Sequence, residues 1–206
     1  MKYSKLTVLF LSIQLFSVLP GFSQDDAEAK ELGRHIFLPS IEMGYVGNNA
    51  SALSGGIITK TSIEFRLRNN NDIFARINYD NIGAEYSLEN INTTNIIGGK
   101  TSFNDILAGV GYRFGDEKFR CFLMVQPGIR LYNYPFATIN GNEITIDQTG
   151  NSIFLTRATV GLEYYFDEKT AISVDVFQNQ VWEQRDFWSD RGDSFGFSIG
   201  VITALF

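Results

Sequence analysis

Between Asn104 and Leu131 the chain alternates with a period of two, and this constrains the fold more than any other feature of the sequence. Ile106, Ala108, Val110, Tyr112 and Phe114 interleave with Asp105, Leu107, Gly109, Gly111 and Arg113. After Gly115-Asp116-Glu117 the pattern resumes. Phe119, Cys121, Leu123, Val125, Pro127, Ile129 and Leu131 now interleave with Arg120, Phe122, Met124, Gln126, Gly128 and Arg130. Successive side chains of a strand point to opposite faces, whereas a helix repeats every 3.6 residues, so the stretch reads as a long hairpin with one apolar and one polar face.

The pattern recurs along the chain. Strand-like segments run over residues 36–46, 57–68, 73–86, 153–166, 170–178 and 194–206, which with the opening hairpin makes eight. Each is long enough for the roughly 9–11 residues that cross a bilayer at a tilt. Aromatic residues at 14% and charged residues at 19%, with 19 Gly and 4 Pro, suit an all-β chain. The connections alternate in length. Asn69 to Asp72, Gly115 to Glu117 and Asp167 to Lys169 are short and built of turn residues. The stretches 47–56, 87–100, 133–152 and 179–193 are long and polar. Short turns on one rim and long loops on the other predict an eight-stranded antiparallel up-and-down transmembrane β-barrel over residues 36–206. Within the third long loop, Asn140-Gly141 between short extended runs predicts a projecting hairpin ribbon.

Residues 1–23 have the layout of a secretory signal peptide: Lys2 and Lys5, an apolar core from Leu6 to Leu19, then Pro20-Gly21-Phe22-Ser23. Residues 24–35 form a polar periplasmic leader. The formal net charge of −6 becomes −8 when the two signal-peptide lysines are removed. An acidic exported chain does not suit nucleic-acid binding. The single cysteine, Cys121, excludes an intramolecular disulfide framework and a cysteine-based zinc site, and it sits on the apolar face as a small hydrophobe. Since no cysteine follows the signal segment, lipoprotein attachment is not indicated.

Periodicity alone does not decide which face is inside. Aromatics gather at strand ends, as Tyr45, Tyr79, Tyr112, Phe114, Phe119, Tyr164, Phe166, Phe195 and Phe197, where interfacial girdles belong. The polar face nearly balances itself, Arg66, Arg68, Arg76, Arg113, Arg120, Arg130 and Arg157 against Glu42, Glu64, Asp80, Asp105, Glu163 and Asp175. A water-facing surface has no need of such neutrality, whereas charges enclosed in a narrow barrel must be paired. The chain also ends in Phe206 on a strand. Taken together, the arrangement resembles the small eight-stranded outer-membrane β-barrels of the OmpX and OmpA type over residues 36–206. The resemblance implies an outer-membrane location, contact with outer-membrane lipid, handling by the barrel-assembly machinery through the C-terminal strand, and a monomer. One departure is that Phe206 shares the parity of Gly200 and Ser198, which predicts a bulge or parity switch near Val201 to Ala204.

Eight strands enclose a space just wide enough for side chains, so the charged set is expected to plug the lumen. A narrow conduit, giving a small passive transporter or an accessory subunit of an export system, is the alternative. A lipid-modifying enzyme is less well supported, because a hydrolase triad needs a histidine base and His35 lies at the wrong end of the first strand. Asp116-Glu117 and Asp167-Glu168 read as turn residues. No catalytic, metal or cofactor residues are assigned. Loop recognition is expected in residues 179–193, where Trp182, Arg185, Phe187, Trp188 and Arg191 bring together types enriched in binding hot spots. Trp182 and Trp188 equally suit anchors in the headgroup layer, and Arg191-Gly192-Asp193 is a short integrin-type match.

Overall fold

The structure, a computed structural model, describes residues 36–49, 53–67, 70–89, 96–140, 143–166, 170–182 and 193–203. Its strands are β1 (Ile36–Asn48), β2 (Gly56–Leu67), β3 (Asn70–Glu89), β4 (Ile96–Gly115), β5 (Phe119–Asn140), β6 (Glu143–Tyr165), β7 (Thr170–Val181) and β8 (Ser194–Thr203). Each pairs antiparallel with its sequence neighbours, and β1 closes on β8 from Ser40↔Ile202 to Asn48↔Ser194, giving a closed barrel of the expected order. Closure leaves no edge strand along the wall.

Alternation becomes burial with the polar face inside. Ile41 is 66% exposed, Val110 64% and Val160 57%, while Arg76, Arg113 and Arg157 are at 1% or less. The apolar exterior ends in aromatic clusters at the short-turn rim, where Tyr112 stacks on Phe114 at 6.4 Å and Tyr164 meets Phe119 at 4.8 Å and Phe166 at 5.3 Å. Cys121 lies on this outer wall, half-buried.

Two features go beyond the sequence reading. The four central strands are 20, 20, 22 and 23 residues long, about twice the other four. Much of the stretches 87–100 and 133–152 is therefore paired backbone: β3 and β4 stay paired to Glu89↔Ile96, and β5 and β6 to Asn140↔Glu143, so the expected ribbon is present and has a companion. The ribbons separate beyond Phe103↔Tyr132, the last β4–β5 pair. Second, the ribbon end of the lumen is apolar. Val46, Ile58, Ile82, Phe103, Leu107, Tyr132, Ile153, Leu155, Phe177 and Val181 form one buried cluster, closed over by Leu53 from the β1–β2 connection.

Local chemistry explains the irregularities. Gly115 has φ of 135°, and a Cβ there would lie 2.3 Å from the Phe119 carbonyl oxygen, so the β4–β5 turn requires glycine. Asp116 completes that turn, its Oδ1 accepting the amides of Phe119 at 2.6 Å and Lys118 at 2.9 Å. The β4–β5 ladder is interrupted between Leu107↔Gly128 and Val110↔Val125, where Pro127 faces Ala108 with no N–H to donate. The expected parity switch is absent up to Thr203: Val201 is exposed, Ile202 buried, and pairing stays regular to Thr170↔Thr203. Phe206 lies outside the described residues, as do His35, Arg68 and the turn 167–169. The β2–β3 turn is tighter than expected, since β3 already begins at Asn70, with a register shift between Arg66 and Leu67.

Candidate functional site

Among the described residues chemistry-bearing side chains converge in the lumen, and the strands position them by parity and stagger. Nearest the short-turn rim, Glu64 accepts from Arg66 and Arg113 (2.9 Å) and from Arg76 Nε (3.0 Å). Glu163 accepts from Arg113 Nε at 2.7 Å and Nη2 at 2.8 Å, and from the Tyr165 hydroxyl at 2.6 Å. That hydroxyl in turn accepts from Arg66 Nη2 at 2.8 Å. At the middle, Lys60 lies 2.6 Å from both Glu42 and Asp175, and Ser198 bridges the same two carboxylates. Nearer the ribbons, Asp105 takes a bidentate pair from Arg130 at 2.7 and 2.9 Å, while Arg157 joins Asp80 to Asp105 and donates its Nε to Asn179 Oδ1 at 2.7 Å.

Six cations, Lys60, Arg66, Arg76, Arg113, Arg130 and Arg157, thus meet six carboxylates, Glu42, Glu64, Asp80, Asp105, Glu163 and Asp175, all buried. Isolated ions in such a space would each cost several kcal/mol, and bidentate pairing offsets that cost. Aromatic rings fill the gaps between ionic layers. Phe74 and Phe122 meet edge to face at 5.9 Å, with Arg113 over Phe74 at 4.5 Å and Arg76 over Phe122 at 5.0 Å, and Arg157 lies 4.5 Å from the Phe177 ring. Glycines make room for them: a Cβ on Gly111 would be 2.2 Å from Phe74, and one on Gly161 2.2 Å from Phe122.

Eleven of the twelve residues expected in the lumen are therefore brought together: Glu42, Glu64, Arg66, Arg76, Asp80, Asp105, Arg113, Arg130, Arg157, Glu163 and Asp175. Arg120 is the exception. It has the inward parity but sits half-buried at the short-turn mouth, its guanidinium 5.2 Å from the Tyr165 ring and its Nε donating to the Asp116 carbonyl at 3.2 Å. It pairs directly across from Glu163, but that carboxylate is already taken by Arg113 and the Tyr165 hydroxyl, and the Arg120 guanidinium turns to the mouth instead. Lys60 is not among the expected lumen residues, although it shares the parity of Ser62 and Glu64 and extending the second strand's pattern by one step finds it. Among the loop candidates, Trp182 is 64% exposed on the outer wall, its Nε1 donating to Thr156 Oγ1 at 2.9 Å, as a headgroup anchor would be. Arg185, Phe187, Trp188 and Arg191 lie outside the described residues. Asp193 is held in place, its Oδ1 accepting the Val181 amide at 2.8 Å and its carbonyl the Asn49 amide at 2.9 Å. The integrin-type reading thus finds its acidic member already committed to a strand end.

Solved structures of small barrels share this arrangement. Neisserial surface protein A superposes with a TM-score of 0.55 at 13% identity, covering 81% of this chain and 96% of that one. The fold is that of the small eight-stranded outer-membrane β-barrels. The attachment invasion locus protein Ail of Yersinia pestis matches this barrel with a TM-score of 0.50 at 11% identity, over 84% of this chain and 99% of that one. The outer membrane protein OprG of Pseudomonas aeruginosa gives 0.50 at 7% identity, over 84% and 94%. No family model and no curated protein matches the chain by sequence.

Proposed function

We propose that this chain is a monomeric, non-enzymatic barrel of a Gram-negative outer membrane, whose lumen is a structural plug and whose two ribbons and long loops meet the surroundings. The observation that carries this reading is the composition of the lumen: six cations matched by six carboxylates, with an apolar cluster capping the ribbon end. A conducting path needs polar groups that exchange partners with a moving solute, and guanidiniums held by bidentate bonds beneath a buried apolar cap favour a plug instead.

In this reading residues 1–23 direct export and are removed, 24–35 remain in the periplasm, and the short turns face inward. The ribbons of β3–β4 and β5–β6 then stand outside the cell. The apolar wall meets outer-membrane lipid, and the C-terminal strand is what the assembly machinery receives. Planar-bilayer recording tests the plug directly. Purified barrel should give no discrete conductance steps, and steps that persist in a Glu42→Gln or Arg157→Met background at altered amplitude would establish the transporter reading in its place.

A further inference from the structure

A row of amides crosses the outer wall just above the apolar band, at the point where the ribbons part. Asn81 pairs across to Asn104, Asn104 to Leu131, Leu131 to Ser152, and Asn133 to Gly150, so β3, β4 and β5 supply the amides Asn81, Asn104 and Asn133 and β6 adds Ser152 and Gly150. Below the row lie exposed Tyr79, Ile106 and Phe154. The row edges a depression of about 450 Å³ lined by Asn104, Leu131, Asn133, Gly150, Ser152 and their neighbours.

The depression is built. Asn104 Oδ1 accepts from both Asn81 Nδ2 at 2.8 Å and the Tyr79 hydroxyl at 3.0 Å, which fixes the amide and turns its Nδ2 donors away from those partners. Thr101 Oγ1 donates to the Asn133 carbonyl at 2.8 Å and pins the fork between β4 and β5. Gly150 leaves the floor open, since among the described residues beyond its chain neighbours a Cβ there would meet only Asn133 Oδ1 at 3.0 Å. Among the described residues the lining holds donors and acceptors but no charged side chain. Among the described residues such a lining offers no cation to neutralise a phosphate or sulfate, whereas the free Asn104 Nδ2 donors beside the Asn133 amide, which has both a donor and an acceptor, match the alternating polarity of vicinal hydroxyls. The volume falls within the range of small-ligand sites.

The geometry points to a site for a neutral saccharide, carried by a free glycan or by the headgroup of an outer-leaflet glycolipid. The inference rests on the reading that the ribbons lie outside the cell. Gly150→Val fills the depression with a strand-favouring residue that meets only a flexible side-chain end, and Asn104→Leu removes the fixed amide. The barrel in phosphatidylcholine nanodiscs is titrated with lactose and maltose by saturation-transfer NMR, then prepared again with digalactosyl diacylglycerol in the disc. In parallel, Asn151→Cys in a Cys121→Ser background is labelled on whole cells with an impermeant maleimide.

Binding of a free disaccharide that weakens at least ten-fold in Gly150→Val and Asn104→Leu supports the inference with a soluble ligand. Contact with the glycolipid headgroup alone, lost in the same variants, supports it with a membrane ligand. Labelling of Asn151→Cys without any neutral-sugar contact, or with contact only to sulfated or phosphorylated sugars, overturns the inference and leaves the barrel's orientation standing. Absence of labelling on intact cells, with labelling after lysis, overturns the orientation itself.

Discussion

Glu64→Gln tests the physics of the lumen because it removes one charge and almost no volume. The carboxylate accepts from Arg66, Arg76 and Arg113. A glutamine keeps one acceptor oxygen, places an NH2 group against three guanidiniums, and leaves Glu163 as the nearest carboxylate to Arg76 and Arg113. Removing one partner of a buried pair typically costs about 3–5 kcal/mol, because the remaining charge stays buried and uncompensated. An attraction of about 4 kcal/mol per unit pair at 4 Å and an effective dielectric of 20 gives the same order. The folding constant should fall by roughly two to three and a half decades. The control is Glu64→Leu with Arg76→Leu, which restores neutrality at five against five. Because apolar replacement of a whole buried pair is often neutral, this double variant should recover at least about 2 kcal/mol of the loss. Urea unfolding in lipid vesicles, followed by heat-modifiable gel mobility and tryptophan fluorescence, reads both. If the single variant loses under about 1 kcal/mol, or the double loses more than the single, pairing is not what makes this interior tolerable.

Packing and turn chemistry supply further tests. Gly161→Val drives a side chain into the Phe122 ring, which a Cβ alone would approach to 2.2 Å, and should cost at least about 1–3 kcal/mol as an overpacked core does; in the same unfolding assay Phe122→Leu should restore part of it. Asp116 is held below the usual aspartate range by the Phe119 amide and then the Lys118 amide. A depressed carboxyl contributes above its unfolded pKa and is lost as pH falls through the folded value, so exchange protection of those two amides should be full at neutral pH and drop only in acid below about pH 4. Asp116→Asn should remove that pH dependence, and protection unchanged down to the acid limit would contradict the assignment.

The fold was legible because a period of two is a geometric statement about strands and because the loop lengths alternate. Parity placed Arg76, Arg113 and Arg157 inside and Val110 and Val160 outside without any coordinate. The longer ribbons were less legible: Ile96-Ile97-Gly98-Gly99 and Asn133 to Thr138 carry no clean alternation, since a free two-stranded ribbon has no buried face to enforce one. The apolar cap was hidden for a related reason. Ile58, Ile82 and Leu107 stand on the inward face among polar residues, and only the stagger of eight strands brings them to one level. Arg120 shows the opposite failure, in which parity is right and Glu163 lies directly across, but Arg113 and Tyr165 already hold that carboxylate. The amide row draws on three strands and its depression on a fourth, and pairing across strands is information that no single segment holds.

The central claim is an inverted protein, apolar outside and ionic within, and spin labels report it most directly. Nitroxides at Val110, Val160 and Val174, one per molecule in vesicles, are measured by power saturation with oxygen and with a water-soluble nickel chelate. The account predicts strong relaxation by oxygen and almost none by nickel at all three. Nickel relaxing these positions as strongly as it relaxes a label at Asp116 would place them in water and contradict it.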